Sequence, residues 1–259
     1  MGKTKKSKIE EIKKHYSSYT QTYLEVVDSA IQSHRSADEE IMLDYYFETM
    51  KIKSGQKLLD AGCGVCGPAI HFAKKTDIAI EALNISDTQI EIAKDKIRAS
   101  GLENKINAVY GDYHSLKNHY QKNTFDIVYF LESYGHCLNH KQLLESAMFV
   151  LKYGGILYIK DYFKKDLAEM KRVSKIAKLM NKKYAYNLPC LYSTLSILRK
   201  QNMDIINIGK PKFDDDGGQL SAEFSRKSNL CLFREGEEMF SYADIFEIIA
   251  RKPITSDVK

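Results

Sequence analysis

The 259-residue sequence has no tryptophan, only four prolines, and no apolar run approaching the roughly 18 to 20 residues that a membrane span requires. Its opening, MGKTKKSKIEEIKK, lacks the apolar stretch of a secretion signal, so a cytoplasmic protein is expected. Lys6 stands where an N-myristoylation pattern needs Ser or Thr, which removes that anchor. Five cysteines without regular spacing do not make a disulfide framework, and a reducing compartment fits them. Cys63 and Cys66 form one C-x-x-C, but no second pair and no nearby histidine completes a tetrahedral zinc site, so no metal is expected there. The net charge of +5 is modest, and much of the excess lies in Lys3, Lys5, Lys6, Lys8, Lys13 and Lys14. Such a cluster reads as a solvated tail and not as a nucleic-acid surface, while anionic small molecules stay open as partners.

What the chain does have is 44% hydrophobic and 28% charged residues, enough for one large domain with a sizeable core. Over residues 58–162 short apolar runs alternate with longer amphipathic ones, the signature of βα units and a mostly parallel sheet. Strands are expected at 57–60, 78–84, 106–110, 125–130 and 155–160. The clearest helices are 87–100, with Ser86 as its cap and Gly101 as its end, and 141–151. A charged amphipathic helix at 164–182, a helix at 190–201, a strand at 203–208 and a last strand at 243–251 follow. Residues 9–27 and 36–50 read as helices. The expected organisation is therefore a tail and helical cap over 1–50 and an α/β domain over 51–259, with a lid-like helical insertion at 163–202. Asp214, Asp215 and Asp216, followed by two glycines, read as a turn.

The most informative stretch is 58–68, LLDAGCGVCGP, an apolar strand that ends in a carboxylate and runs into a glycine-rich turn. Gly62, Gly64 and Gly67 satisfy G-x-G-x-x-G, which serves a tight turn, close backbone approach to a ligand, and close packing of the next helix on the strand. A dinucleotide-binding protein would show the same glycines. Asp60 discriminates, because a carboxylate beside the turn repels a pyrophosphate and attracts a ligand carrying an amine and a sulfonium.

The same stretch resembles the first motif of the class I S-adenosylmethionine-dependent methyltransferases, and the resemblance continues in order along 58–163. It implies a Rossmann-like seven-stranded sheet, mostly parallel, with helices on both faces and S-adenosyl-L-methionine as cofactor. It places that cofactor on Asp60, Gly62, Cys63, Gly64, Asn84, Ile85, Gln89, Asp112, Tyr113 and Leu131. Asn84 stands in the ribose-binding position usually held by Asp, and an amide can still donate to and accept from both hydroxyls. Glu81 is an acidic rival, but strand alternation puts it on the opposite face. Gly111, Asp112 and Tyr113 match the adenine-binding position, and LKYGGILYIKDYF resembles the helix-Gly-Gly-strand element of the family.

Within the family, GCGVCGP and Glu132-Ser133-Tyr134-Gly135-His136 are similar to the C-methyltransferases of sterols and prenyl diphosphates. The resemblance carries over to Glu132 the role of stabilising a developing cation or taking up its proton. It makes His136 a second candidate for base or orienter, with titration near neutrality in its favour. Tyr16 and Tyr19 of the cap, together with Tyr134, are the candidate substrate or lid residues, although the spacing of Tyr16, Tyr19 and Tyr23 also suits ordinary helix packing. The expected reaction is methyl transfer to a small molecule, first to the carbon of an isoprenoid, with a nitrogen or oxygen acceptor or a non-catalytic cofactor-binding scaffold as alternatives. No N-P-P-Y or Pro-Cys motif points to nucleic acid. The oligomeric state stays open, a homodimer included.

Overall fold

The computed structural model describes residues 5–36, 38–165, 177–179, 181–182, 185–213, 223, 226–227 and 243–254. The expected turn at 214–218 and most of the helix expected at 164–182 lie outside the described residues. Two helices lead in, α1 (Lys5–Val27) and α2 (Glu39–Thr49). Asp38 fixes the start of α2, its carboxylate accepting from the backbone N–H groups of Glu40 and Ile41. The α/β order follows: β1 (Lys57–Ala61), α3 (Gly67–Lys75), β2 (Ala79–Asn84), α4 (Asp87–Ala99), β3 (Ile106–Tyr110), β4 (Phe125–Leu131), α5 (His140–Val150) and β5 (Leu151–Lys164). Then come α6 (Leu191–Lys200), β6 (Asp204–Gly209) and β7 (Ala243–Arg251). Ser86 caps α4 by accepting from the Gln89 N–H, as the sequence predicts.

The seven strands lie in the order β3-β2-β1-β4-β5-β7-β6. β1 to β5 run parallel, and β7 turns back antiparallel between β5 and β6. Successive residues of β1 feed opposite faces: Leu58 packs with Met42, Phe72 and Ile90, whereas Leu59 packs with Val128, Leu143 and Leu144. A central strand buried on both sides needs this run of apolar residues, so a carboxylate at its end, Asp60, is conspicuous. The strand order reverses between β1 and β4, and crevices for ligands form outside the carboxyl ends of strands at such a point.

The fifth strand is longer than 155–160. Antiparallel pairing with β7, through Phe163 opposite Asp244 and Lys164 opposite Ala243, extends it well past Lys160. At its start Gly154, at φ +75°, lets the chain run as strand from Leu151, ahead of the expected start at 155.

The segment from α1 to α2 does not stand apart from the sheet. Its backbone at Ser29 and Ala30 crosses the first turn of α3 so closely that a Cβ on Gly67 would strike Ser29 and lie 2.8 Å from the Ala30 nitrogen. The three atoms nearest such a Cβ all belong to the entering cap, so the cap requires the third glycine of the motif. Among the described residues, no helix is long and apolar enough to cross a membrane.

Candidate active site

A cleft enclosing about 640 Å³, counting space that merges with solvent, opens at the carboxyl ends of β1, β2 and β4. Asp60, Gly62, Cys63, Gly64, Asn84, Ile85, Gln89, Tyr113 and Leu131 all line it, so nine of the ten expected cofactor residues meet in one place. Asp112 faces the adjoining hollow with Ile85 and Tyr113, where its carboxylate caps the following turn by accepting from the His114 N–H at 2.9 Å. Glu81 lies outside the cleft and accepts from Asn107 at 2.9 Å.

Each wall has a local cause. Gly62, at φ +95°, turns the chain directly after β1, and a Cβ there would strike Ser133, whose hydroxyl donates to the Ala61 carbonyl at 2.5 Å. Cys66 adopts the left-handed conformation at φ +67° to start α3, a strain of roughly 1 kcal/mol or more for a residue with a side chain. Asn84 donates to the Gly64 carbonyl at 3.0 Å and to the Gln89 Oε1 at 2.7 Å, which ties the end of β2 to the glycine turn. Its two amide hydrogens are spent there, so a ribose can be met by its Oδ1, which also accepts from the Ser86 N–H at 3.3 Å.

Three buried polar atoms of the lining residues, Gln32 Nε2 among them, have no partner. Asp60 Oδ2 lacks any hydrogen bond although the residue is only 2% exposed, and Gln89 Nε2 is likewise unpaired. Burial pushes the Asp60 carboxyl up to about 7, with Tyr129 pulling the other way. An uncompensated carboxylate at a cleft wall is costly unless a cation arrives. The chemistry of the donor set therefore fits a ligand with an ammonium group next to Asp60 and hydrogen-bonding groups next to Asn84 and Gln89.

Above the cleft, Glu132 is bound on all sides. At φ +54° it turns off the end of β4. Its carboxylate accepts from the Ser33 N–H at 2.7 Å, the Ser33 hydroxyl at 2.9 Å and the His34 N–H at 3.0 Å, and it pairs with Lys160. Burial alone would raise this carboxyl, but the Lys160 ammonium and the Ser33 and His34 contacts outweigh it and hold the group below the usual carboxylate range. Lys160 is fully buried in β5 and donates also to Gln32 Oε1 at 2.9 Å and to the His34 carbonyl at 2.6 Å. The pair clamps residues 32–34 onto the tips of β4 and β5. Glu132 faces the cleft as expected, yet it is an ionised carboxylate with its acceptor positions occupied.

His136 also reaches the cleft. The Ala185 carbonyl can only accept, so Nδ1 carries the proton at 3.3 Å from it and Nε2 accepts from the Tyr16 hydroxyl at 2.6 Å. Burial pulls its pKa down to about 3, which overturns the expectation of titration near neutrality. Tyr16 lines the cleft from α1, whereas Tyr19 lines a second, outer cleft. Tyr134 is not a substrate residue: it is fully buried, its hydroxyl lies 3.1 Å from that of Thr194, and its ring packs on His140 and Phe163. The short helical turn at Tyr134–His136 rotates it into the core.

Sequence reasoning missed Lys160, Asp161 and Tyr186. Asp161 is buried, accepts from the Gly135 N–H at 2.9 Å and the Tyr162 N–H at 2.7 Å, and receives the Tyr186 hydroxyl. Burial raises its carboxyl to about 7. Two charged residues inside the apolar run GILYIKDYF were the available signal. Among the described residues, no group of three His, Cys, Asp or Glu side chains could hold a metal ion.

Comparison with known proteins agrees with this geometry. Residues 59–159 match the family model described as "Methyltransferase domain". Over these residues the chain is similar to that family. A sterol 24-C-methyltransferase of Aspergillus fumigatus is 37% identical over 122 residues, 47% of this chain and 32% of that one. The matched segment spans less than half the length of the curated relatives it resembles. Among solved structures, the [4+2]-cyclase SpnF superposes with a TM-score of 0.79 at 20% identity, covering 94% of this chain and 96% of that one. A geranyl diphosphate C-methyltransferase from Streptomyces coelicolor A3(2) superposes at 0.72 and 14% identity, covering 97% and 100%. At those identities the likeness is one of fold, and it extends to the cap and to the antiparallel end of the sheet.

Proposed function

We infer that the protein transfers the methyl group of S-adenosyl-L-methionine to a small acceptor. The unpartnered Asp60 oxygen beside the glycine turn carries this reading, since among the described residues of the cleft it is the buried carboxylate left without a cation. Asp60 would hold the amino group of the cofactor, Asn84 and Gln89 the ribose, and Asp112 and Tyr113 the adenine end. When bound, the sulfonium supplies an activated methyl group, and the chain has to orient the acceptor and exclude water. The cap over the cleft, from Tyr16 to Gln32, serves the second task.

For the acceptor, the first reading is an isoprenoid carbon. It is supported by the E-S-x-x-H pattern at Glu132 and by the sterol and geranyl diphosphate enzymes among the similar proteins. Addition of a methyl cation to an alkene leaves a positive charge, which an ionised Glu132 at the cleft can stabilise. A nitrogen or oxygen acceptor is favoured by a different observation: Glu132 is saturated by Ser33, His34 and Lys160, and it can remove a proton only if that clamp opens.

Calorimetry with S-adenosylmethionine, followed by incubation with prenyl diphosphates, sterols and amines and product mass analysis, tests the reading. A product heavier by one methyl on carbon supports the first reading, and one on nitrogen or oxygen the second. Binding without turnover on any acceptor would leave a cofactor-binding scaffold. Glu132→Gln should abolish C-methylation while cofactor affinity stays nearly intact, and retained turnover would remove Glu132 from the chemistry.

A further inference from the structure

The two ends of the Gln32 amide have different fates. Its Oε1 accepts from the Tyr46 hydroxyl at 2.9 Å and from the Lys160 ammonium at 2.9 Å. An ammonium can only donate, so the oxygen is the end turned to Lys160, and the nitrogen lies on the other side of the amide. That nitrogen is buried and has no partner among the described residues. Gln32 is 4% exposed and lines the cleft together with Asp60, Gly62 and Leu131. An N–H donor is thus held at the cleft wall at a cost that an arriving acceptor removes. The cation on Oε1 polarises the amide and strengthens it as a donor.

Serving Lys160 and Tyr46 needs only an oxygen, and a glutamate of the same shape would present one. What the amide adds is the donor. The same cleft holds Asp60 Oδ2, a buried acceptor without a partner. A ligand that satisfies both walls brings a cation for Asp60 and an anionic acceptor for Gln32, and an α-amino acid carries the two on one carbon. Gln89 Nε2 belongs to a different corner, because Gln89 Oε1 is held by Asn84 at the end of β2.

We propose that Gln32 binds the carboxylate at the amino-acid end of S-adenosylmethionine, and that this contact fastens the cap over the cofactor. The proposal rests on the methyltransferase reading and adds to it a residue outside the segment 59–159 that matches the family model. Lys160 donates to Gln32 and pairs with Glu132, whose carboxylate holds the N–H groups of Ser33 and His34. A carboxylate on Gln32 Nε2 completes a chain of contacts from the cofactor to the loop between α1 and α2.

The test compares S-adenosylhomocysteine with its decarboxylated analogue, which keeps the amine and lacks the carboxylate. Both are titrated calorimetrically into the full chain at about pH 8, where Asp60 is ionised. The unmodified chain should bind the analogue about tenfold or more weaker. Gln32→Glu keeps an oxygen for Lys160 and Tyr46; it should weaken S-adenosylhomocysteine by a similar factor and should not weaken the analogue. Hydrogen exchange at the Ser33 and His34 amides should slow more with S-adenosylhomocysteine than with the analogue at equal saturation. Equal affinity of the unmodified chain for the two ligands, an equal loss for both in Gln32→Glu, or equal protection of the two amides overturns the proposal alone. A chain that binds neither ligand overturns the methyltransferase reading as well.

Discussion

The charge state of Asp60 makes cofactor binding depend on pH in a calculable way. Its carboxyl is 2% exposed, has one oxygen without a partner, and is raised by burial to about 7, far above the ordinary value near 4. A raised carboxyl pKa means that the free protein holds the proton through the acid range and loses it near neutrality. A cationic amine binds the ionised form. The ionisation of Asp60 should therefore add at most about twofold to the affinity above pH 7, and the affinity should fall by up to tenfold for each pH unit well below it. Between pH 7.5 and 5.5 the ionised fraction drops by roughly 25-fold, equivalent to about 1.9 kcal/mol of binding free energy. Binding at pH 7 should release about half a proton, read by calorimetry in two buffers of different ionisation enthalpy. Asp60→Asn should bind weakly at every pH and lose the slope. An affinity for S-adenosylmethionine that is flat from pH 5.5 to 7.5, with no proton released, would refute the reasoning.

Three further outcomes follow from the same geometry. Lys160→Met strands the Glu132 charge in the interior and should cost on the order of 3–5 kcal/mol in urea unfolding, with Glu132→Gln in the same chain restoring part of it; a change within about 0.5 kcal/mol would show that the pair carries no such weight. Gly67→Ala should loosen the cap, costing about 1–3 kcal/mol and speeding proteolysis within residues 5–36. Gly55→Ala meets no atom within 4 Å and serves as its comparison, showing only the cost of its left-handed backbone. The His136 ring carbons should keep one NMR shift from pH 5 to pH 8, since burial holds the ring neutral there, and a midpoint near 6.5 would mean that the ring is solvated.

Most of the sheet was legible because parallel strands and their helices write themselves in apolar period and glycine stops. The strand at 106–110 and the last one at 243–251 coincide with the observed elements. The cofactor wall was legible because its residues sit in fixed positions relative to strand ends. What the sequence does not display is long-range pairing of side chains. Nothing local in Glu132 announces that Ser33 and His34, some hundred residues earlier, will fill its oxygens. Tyr134 shares a short motif with Glu132 and His136, but one helical turn sends its ring the other way. His136 was read by its solution pKa, and burial, a property of the whole fold, decided otherwise.

The clamp at Glu132 also bears on how a fragment of this chain should be cut. The segment shared with other methyltransferases closes at residue 159, one position short of Lys160, and opens well after residues 32–34. A fragment cut to that homology would leave Glu132 facing neither its lysine nor its loop, with Gly67 guarding an empty groove. The contacts that hold the site together thus reach beyond the matched segment. An ion pair and a backbone crossing bind residues 29–34 to the centre of the sheet.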